Sequence, residues 1–447
     1  MLSWMALLPG SAPALDALSL AWWALQFTPR VALLDEAVVL ELRASERLFG
    51  GAQALKRQVV QGAAQWGCTQ WACAPTALAA LAWARHGPRT PGVSRLDHLP
   101  LRTISAVRHH EATLSQLGCR TLGQVRGLPR DGLSRRFGAP LLHALDQAHG
   151  LKPEAFEWLQ LPERFDARLE LPGRVDTAAA LVFAARRLLQ PLCAWLAGRH
   201  SGIRAMTWRW QHDYHQRDVA RQGELVVRLS DASRDLDRLH RLLAEHLNRT
   251  MLGGPVAELS LHADEVEALA IDSACLFQEH DADGLSAAPD GLASPAAQRR
   301  QREALSTLLD RLSARLGKAR VKQGEVLADH RLELAQHWFP AVDVGTLTTA
   351  QGKVDAPLED HPQPGWVLPQ PLPLAMNGGT PEAPVYQGPL RLLSGPHRVE
   401  AGWWDGQAVT RDYHLAHSEQ AGMLWVFQER PAGAAQQGPW FLHGIFA

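Results

Sequence analysis

Acidic side chains lie on both sides of a short apolar segment near the start of the chain. Asp35 and Glu36 precede the apolar run Ala37–Leu40, and Glu41 follows it. Carboxylates are the usual protein ligands of Mg²⁺, and pairs of such ions catalyse displacements at phosphorus. The alternative is a plain strand with carboxylates at its ends, and the local sequence favours that alternative.

The segments around these carboxylates predict a mixed α/β region. Apolar residues at helical spacing predict helices over residues 14–27, 53–65 and 77–85, with Thr76 as the N-cap of the third. Short apolar runs predict strands over residues 31–34, 38–42 and 71–74. The carboxylates therefore belong to a sheet with helices packed on it.

A second region begins after Leu99 and consists of short helical segments. Four of them, each ending near a glycine, are predicted over residues 111–118, 121–127, 130–138 and 139–150. Helices this short, joined by glycine turns, indicate a small helical module.

A β-α-β-β-α-β order follows from Phe165. Strands are predicted over residues 165–171, 203–211, 224–229 and 256–263, and helices over residues 177–197 and 233–251. This order predicts a four-stranded sheet with two helices on one face.

The rest of the chain alternates between linkers and regular elements. Residues 279–293 are polar and predict a linker, and Ser294-Pro295 begins a helix that ends at Gly317. Residues 340–389 are rich in Pro, Gly and Thr and predict extended chain. Alternating residues predict antiparallel strands over residues 390–393, 398–404, 409–417, 423–429 and 440–446.

Composition limits the classes of function. The 447 residues carry 45 Lys and Arg against 46 Asp and Glu, so any nucleic-acid contact must come from local basic patches. Five cysteines without CxxC spacing predict a reducing compartment and no structural zinc. The apolar N-terminus has no basic region and is interrupted at Pro9, Pro13 and Asp16, which predicts neither signal peptide nor membrane span. We expect a soluble, cytoplasmic protein.

Four motifs, in order, resemble a known family. DEAVVLELRASERLFGG spans Asp35–Gly51, CAPTALAALAWA spans Cys73–Ala84, and LSQLGCRTLGQVRGLP spans Leu114–Pro129 and is followed by LSRRFG. They resemble the palm and thumb motifs of Y-family (translesion) DNA polymerases. The tail motifs AGWWDG, TRDYHLA and WFLHGIFA resemble the ImuB-type branch, found in bacterial damage-inducible mutagenesis cassettes.

The resemblance implies an α+β multidomain fold. Residues 1–99 would be an N-terminally truncated palm/fingers region, 100–160 a helix-hairpin-helix thumb, and 161–272 a β-α-β-β-α-β little finger. Residues 273–388 would hold a clamp-binding motif, a linker, a helix and the Pro-rich segment. Residues 389–447 would form a C-terminal antiparallel β extension that docks partners.

The resemblance also implies a damaged metal site. Family members supply an Asp from the first palm strand, which we expect to be missing here, and an Asp-Glu pair from a later strand. In one alignment register, Asp35-Glu36 matches that pair and Leu33 stands where the family has Ser. In the other register, Glu41 matches a downstream Asp of the family, and the pair falls on Glu36-Ala37. Both registers leave too few ligands, so Asp35, Glu36 and Glu41 are predicted to be vestigial, with no bound metal or cofactor.

Nucleic-acid contacts are predicted in two regions. Gly118, Arg120 and Thr121 would form a hairpin loop whose amides bind phosphates, with Arg126 and Arg130 following; a plain helical turn is the alternative. In the little-finger-like region, Arg204 and Arg228 would face phosphates from adjacent strands, with Arg209 nearby. Because acidic residues lie nearby in the sequence, a solvated sheet face that binds no DNA is an equally favoured alternative.

Three further segments suggest binding of partner proteins. Leu276-Phe277 resembles the apolar end of a sliding-clamp ligand, although Ser273 replaces its Gln; packing of Phe277 on the sheet is the alternative. Residues 370–374 are a second clamp candidate. Trp403 and Trp404 could stack on bases or a partner, or fill the core of a small sheet.

The resemblance as a whole implies a non-catalytic adaptor in damage-induced translesion synthesis. It would bind primer-template DNA and the β sliding clamp, and would bridge a RecA-like accessory protein and an error-prone C-family polymerase. An active Mg²⁺-dependent translesion polymerase with a misannotated start, and a simple helix-hairpin-helix DNA-binding protein, remain as alternatives.

Overall fold

A computed structural model describes residues 4–10, 16–87, 95–212, 222–269, 295–327, 329–343, 364–378, 383–430 and 438–446. The chain divides into two compact units, Met1–Arg315 and Leu316–Ala447. The first unit contains three successive regions of regular structure, and the second is mostly β-sheet.

The first region is a four-stranded antiparallel sheet with helices packed on it. Its elements are β1 (Trp4–Leu8), α1 (Ala17–Ala24), β2 (Val31–Leu34), β3 (Ala37–Glu41), α2 (Ala52–Gln65), β4 (Gln70–Ala74) and α3 (Ala77–His86). The strand order is β2-β3-β1-β4. Thr76 caps α3 by accepting from the amide of Ala79, as predicted.

The first strand is present, which corrects the prediction that it is missing. All five residues of β1 are apolar and buried, and the strand lies between β3 and β4. Because the strand is buried on both faces, its sequence lacks the polar-apolar alternation that identifies a half-exposed strand.

The helical module contains the four predicted helices and one more short helix before them. It contains α4 (Ser105–Arg108), α5 (Glu111–Gln116), α6 (Leu122–Arg126), α7 (Arg130–Phe137) and α8 (Ala139–Ala148). Gly118 ends α5 with φ of 82°, a backbone conformation that a side chain would strain. A separate apolar core that includes Leu114, Leu122 and Leu133 holds these helices together.

The β-α-β-β-α-β region also forms as predicted. Its elements are β5 (Asp166–Val175), α9 (Ala178–Gly198), β6 (Ser201–His212), β7 (Gln222–Ser233), α10 (Leu236–Leu247) and β8 (Val256–Ala268). The antiparallel strand order is β5-β8-β6-β7, and α9 and α10 share a core with Trp208 and Trp210 of β6. By length and composition α9 could span a membrane, but 61% of its apolar window is buried in the fold, as expected of a core helix.

Helix α11 (Pro295–Leu316) follows, and the second unit contains two sheets. A hairpin pairs β9 (Lys322–Val326) with β10 (Gln336–Pro340). The larger sheet contains β11 (Trp366–Met376), β12 (Pro384–Val385), β13 (Arg391–Ala401), β14 (Val409–Ser418), β15 (Gly422–Glu429) and β16 (Trp440–Ile445), in the order β12-β11-β16-β15-β14-β13. The two strands predicted over residues 390–404 are one strand, because register shifts between Leu392 and His397 let β13 continue.

Candidate functional site

Asp35 and Glu36, in the turn between β2 and β3, are bound by one arginine. Arg85, in the last turn of α3, donates from Nε to Glu36 Oε1 at 2.8 Å and from Nη2 to Glu36 Oε2 at 2.7 Å. The same Nη2 donates to Asp35 Oδ2 at 2.8 Å, and Ser105 Oγ donates to that oxygen at 2.6 Å. The two carboxylates therefore already have strong donors within the chain.

One guanidinium in this cluster pairs with two carboxylates. Burial raises the pKa of Asp35, but the hydrogen bonds from Ser105 and Arg85 outweigh it, so that the net pKa is lowered. The hydrogen bond from Arg85 lowers the pKa of Glu36. The Arg85 side chain is only 8% exposed, and its Nη1 donates to the Thr103 carbonyl at 2.9 Å. A divalent ion that bound the carboxylate oxygens accepting from Arg85 would compete with this guanidinium.

Glu41 lies at the opposite end of β3 from Glu36. Five steps of extended chain separate them by about 17 Å, whereas a two-metal site needs ligands around ions roughly 4 Å apart. The Glu41 carboxylate is buried; its Oε1 accepts from the Arg43 amide at 3.1 Å, and its Oε2 lies 3.7 Å from Arg30 Nη1. The three acidic residues singled out in the sequence therefore do not converge on one point.

Strand β1, which pairs with β3, supplies no further ligand. All of β1 is apolar, with Trp4 opposite Glu41 and Leu7 opposite Val38. Within the described residues, no group of three or more His, Cys, Asp or Glu side chains is placed to hold a metal ion. Arg85 and Ser105 lie 49 and 70 residues from their partners in the chain, and no local signal in the sequence identifies them.

The backbone amides of the turn between α5 and α6 are hydrogen-bonded by the side chain of Gln124, in α6. Gln124 Oε1 accepts from the amides of Arg120 and Thr121 at 2.6 and 3.2 Å, and Thr121 Oγ1 accepts from the Gln124 amide at 3.4 Å. This capping box satisfies the amides that were predicted to bind phosphate. Because the Gln124 side chain is exposed, its rotation would release them.

The cations near this turn differ in their surroundings. Arg126 Nη1 lies 3.3 Å from Asp97 Oδ1, and Arg130 Nη2 lies 2.7 Å from Asp146 Oδ2. Arg120, two residues after Gly118, is exposed. Arg120 is thus the best-placed cation of the predicted loop for an external anion.

Arg204 is buried, which corrects the prediction that it faces phosphates. It is 3% exposed, its Nη1 donates to the Ser230 carbonyl at 3.1 Å, and its Nε lies 3.6 Å from Glu267 Oε1. It carries a structural contact between strands, because a guanidinium buried here needs these acceptors.

Arg209 and Arg228 lie on the sheet face away from the helices, since their strand neighbours Trp208 and Val227 are in the helix-covered core. Arg209 Nε lies 2.8 Å from Glu224 Oε2, and Arg228 Nη2 lies 2.6 Å from Glu265 Oε1. Both arginines are exposed by more than a third, so that these surface pairs are weak and can exchange for phosphate.

Of the two candidate clamp-binding segments, only the second lies within the described residues. Leu276 and Phe277 lie outside the described residues. Residues 370–374 belong to β11, where Leu372 and Leu374 pair with β16 and Leu374 packs on the apolar core of the sheet. Most of the second candidate segment is therefore already paired or packed within the sheet.

Trp403 and Trp404 are exposed on the loop between β13 and β14, so the alternative that they fill a core is wrong. They are 76% and 54% exposed, with ring centroids 5.3 Å apart. The guanidinium of Arg331 lies 5.6 Å from the Trp404 ring centroid and pairs with Asp329 and Asp405 at 2.7 and 2.6 Å. This ion-pair network, which no local sequence pattern indicates, anchors the loop.

The chain is similar over almost its whole length to Protein ImuB of Caulobacter vibrioides. It is 29% identical over 448 residues to the proteins of strains NA1000 / CB15N and ATCC 19089 / CIP 103742 / CB 15, covering 95% of this chain and 92% of each relative. This similarity confirms the predicted ImuB-type resemblance.

Similar solved structures are Y-family DNA polymerases. A Dbh ternary complex with partially disordered substrates is 15% identical, with a TM-score of 0.27, over 56% of this chain and 77% of that chain. DinB from Sulfolobus solfataricus is 14% identical, with a TM-score of 0.25, over 56% of this chain and 76% of that chain. No protein-family model matches the chain.

Proposed function

We propose that this chain is a non-catalytic, Y-family-like adaptor in damage-induced translesion synthesis and mutagenesis. The observation that carries the proposal is the divergence of the acidic residues. Asp35 and Glu36 are held by Arg85 at one end of β3, and Glu41 is buried at the other. The similarity to Protein ImuB supports the same role.

The DNA-binding part of the proposal assigns two surfaces. The α5–α6 turn acts as a helix-hairpin-helix thumb, with Arg120 as its exposed cation, and the sheet of β5–β8 acts as a little finger, with Arg209 and Arg228 on its open face. Contacts of this type bind the backbone without reading sequence and weaken as salt rises.

The partner-binding part of the proposal is based on the family resemblance. Leu276-Phe277 binds the β sliding clamp, and the C-terminal unit contacts a RecA-like accessory protein and an error-prone C-family polymerase. The exposed Trp403 and Trp404 support a docking role for that unit, since aromatic side chains are enriched at interfaces. The adaptor would work in the cytoplasm, associated with the nucleoid.

Primer extension tests the absence of catalysis. With Mg²⁺ and deoxynucleotides, the purified chain should extend no primer, and Asp35→Asn with Glu36→Gln should leave damage-induced mutagenesis intact. Templated incorporation that this double variant abolishes would overturn the proposal and establish the polymerase alternative.

Fluorescence anisotropy with labelled primer-template DNA tests the binding surfaces. R209A with R228A should weaken binding and lower the slope of log affinity against log salt by about 2, because each phosphate contact contributes roughly 0.9. R120A should act in the same direction by about half as much. R57A, an exposed arginine on α2, is the matched control. Equal slopes for all variants would show that DNA binds elsewhere.

A further inference from the structure

Helix α11 turns its apolar side away from the fold that it packs on. Its buried residues on the described part of the helix are small or polar: Ser306, Asp310, Ser313 and Ala314. Its exposed large apolar residues on that part are all leucines: Leu305, Leu308, Leu312 and Leu316. At 100° per residue these four leucines lie within an arc of about 80°, which we call the leucine stripe. A helix packed only by its apolar side would have the opposite orientation.

Polar contacts fix this orientation. Asp310 is 2% exposed; its Oδ1 accepts from the Ser230 amide at 2.7 Å and its Oδ2 accepts from Arg238 Nη2 at 2.6 Å. Ser230 belongs to β7, an edge strand, so Asp310 satisfies a backbone donor that the sheet leaves open. Rotating α11 to bury the stripe would leave these buried groups without partners.

The borders of the leucine stripe are basic. Arg302 is exposed along one border, and Arg311 and Arg315 lie along the other with more than half of each side chain exposed. Glu245 of α10 is shared by Arg311 and Arg315, so one carboxylate balances two cations. The surface therefore combines leucines at helical spacing with a net positive border.

This combination selects one kind of occupant. Leucines at spacings of three and four residues accept the matching stripe of another α-helix, and basic borders favour acidic residues beside that stripe. A second copy of this chain would place arginines against arginines, which disfavours self-association through this surface.

We propose that the leucine stripe of α11 is a docking surface for an amphipathic α-helix of a partner protein, with leucines at heptad spacing and acidic flanks. The proposal rests on the adaptor function proposed above, to which it adds a surface and a partner chemistry. It uses none of the residues assigned to DNA.

A synthetic peptide provides the probe. A fluorescein-labelled peptide of four heptads, with leucine at the core positions and glutamate beside them, should bind the full chain, and its lysine-flanked counterpart should bind at least tenfold more weakly. L308Q with L312Q should weaken binding of the acidic peptide at least tenfold. R302E should weaken it too and should strengthen binding of the lysine peptide.

L48Q with L151Q, two exposed leucines elsewhere, is the matched control and should bind the acidic peptide as the unaltered chain does. Equal binding of the acidic and lysine peptides, or binding insensitive to L308Q with L312Q, would overturn the proposal. So would a dimer, seen by light scattering, that L308Q with L312Q dissociates, because the occupant would then be a second copy. Peptide binding with no primer-template binding would sustain this surface and refute the DNA contact alone.

Discussion

Replacing Arg85 by Met tests the ion-pair cluster that occupies Asp35 and Glu36. The change keeps the apolar stem and removes the guanidinium. The buried Thr103 carbonyl loses its donor, which costs about 1–3 kcal/mol. Asp35 and Glu36 side chains are 36% and 52% exposed, so water replaces much of their interaction and each pair adds only about 0.2–1 kcal/mol. We expect R85M to be destabilised by about 1.5–5 kcal/mol.

The pH dependence of this loss has a definite sign. The folded-state pKa values of Asp35 and Glu36 are lowered from 3.8 and 4.5, so in acid the unfolded chain binds more protons than the folded chain. Their stabilisation is complete above these values and is lost as pH falls through the folded pKa values. The deficit of R85M should therefore be largest at neutral pH and smaller below about pH 4.

Amide hydrogen exchange in α3 and α4 measures this effect locally, which avoids treating a chain of two units as two-state. R57M, on the exposed side of α2, is the control and should change stability by no more than about 0.5 kcal/mol. The reasoning would be refuted if R85M lost less stability than D35N with E36Q. It would also be refuted if the loss of stability in R85M stayed constant from pH 7 to pH 3.

Three further expectations concern other parts of the chain. Changing Leu276 and Phe277 to Ala should abolish pull-down of the β sliding clamp; unaltered binding would move the site to residues 370–374 or elsewhere. The second unit should lose stability as pH falls from 6.5 towards 4, by up to roughly 3 kcal/mol, because burial lowers the pKa of His443 to about 4 and the unfolded chain takes up the proton first. H443Q should flatten that dependence in a urea titration at several pH values, and an unchanged slope would contradict it. W403S should alter the thermal midpoint very little, since the ring is 76% exposed; a drop of ten degrees would contradict that exposure.

Local patterns in the sequence predicted most of the elements. Apolar spacing identified α2, the four short helices of the module and the β-α-β-β-α-β order, because each signal is complete within one element. It failed for β1, whose five residues are apolar on both faces, and for β13, whose register shifts join two short patterns into one strand.

The sequence by itself determined which residue types are available: few carboxylates near β3, several arginines in the β-α-β-β-α-β region, and leucines at helical spacing along α11. Only the tertiary structure decided their use. It placed Arg85 on carboxylates 49 residues away, buried Arg204 against a neighbouring strand, and turned the leucines of α11 outward. These outcomes depend on contacts between residues far apart in the chain. Such contacts decide which charges are paired and which helix face is exposed to solvent. A local sequence pattern encodes neither the pairing nor the exposure.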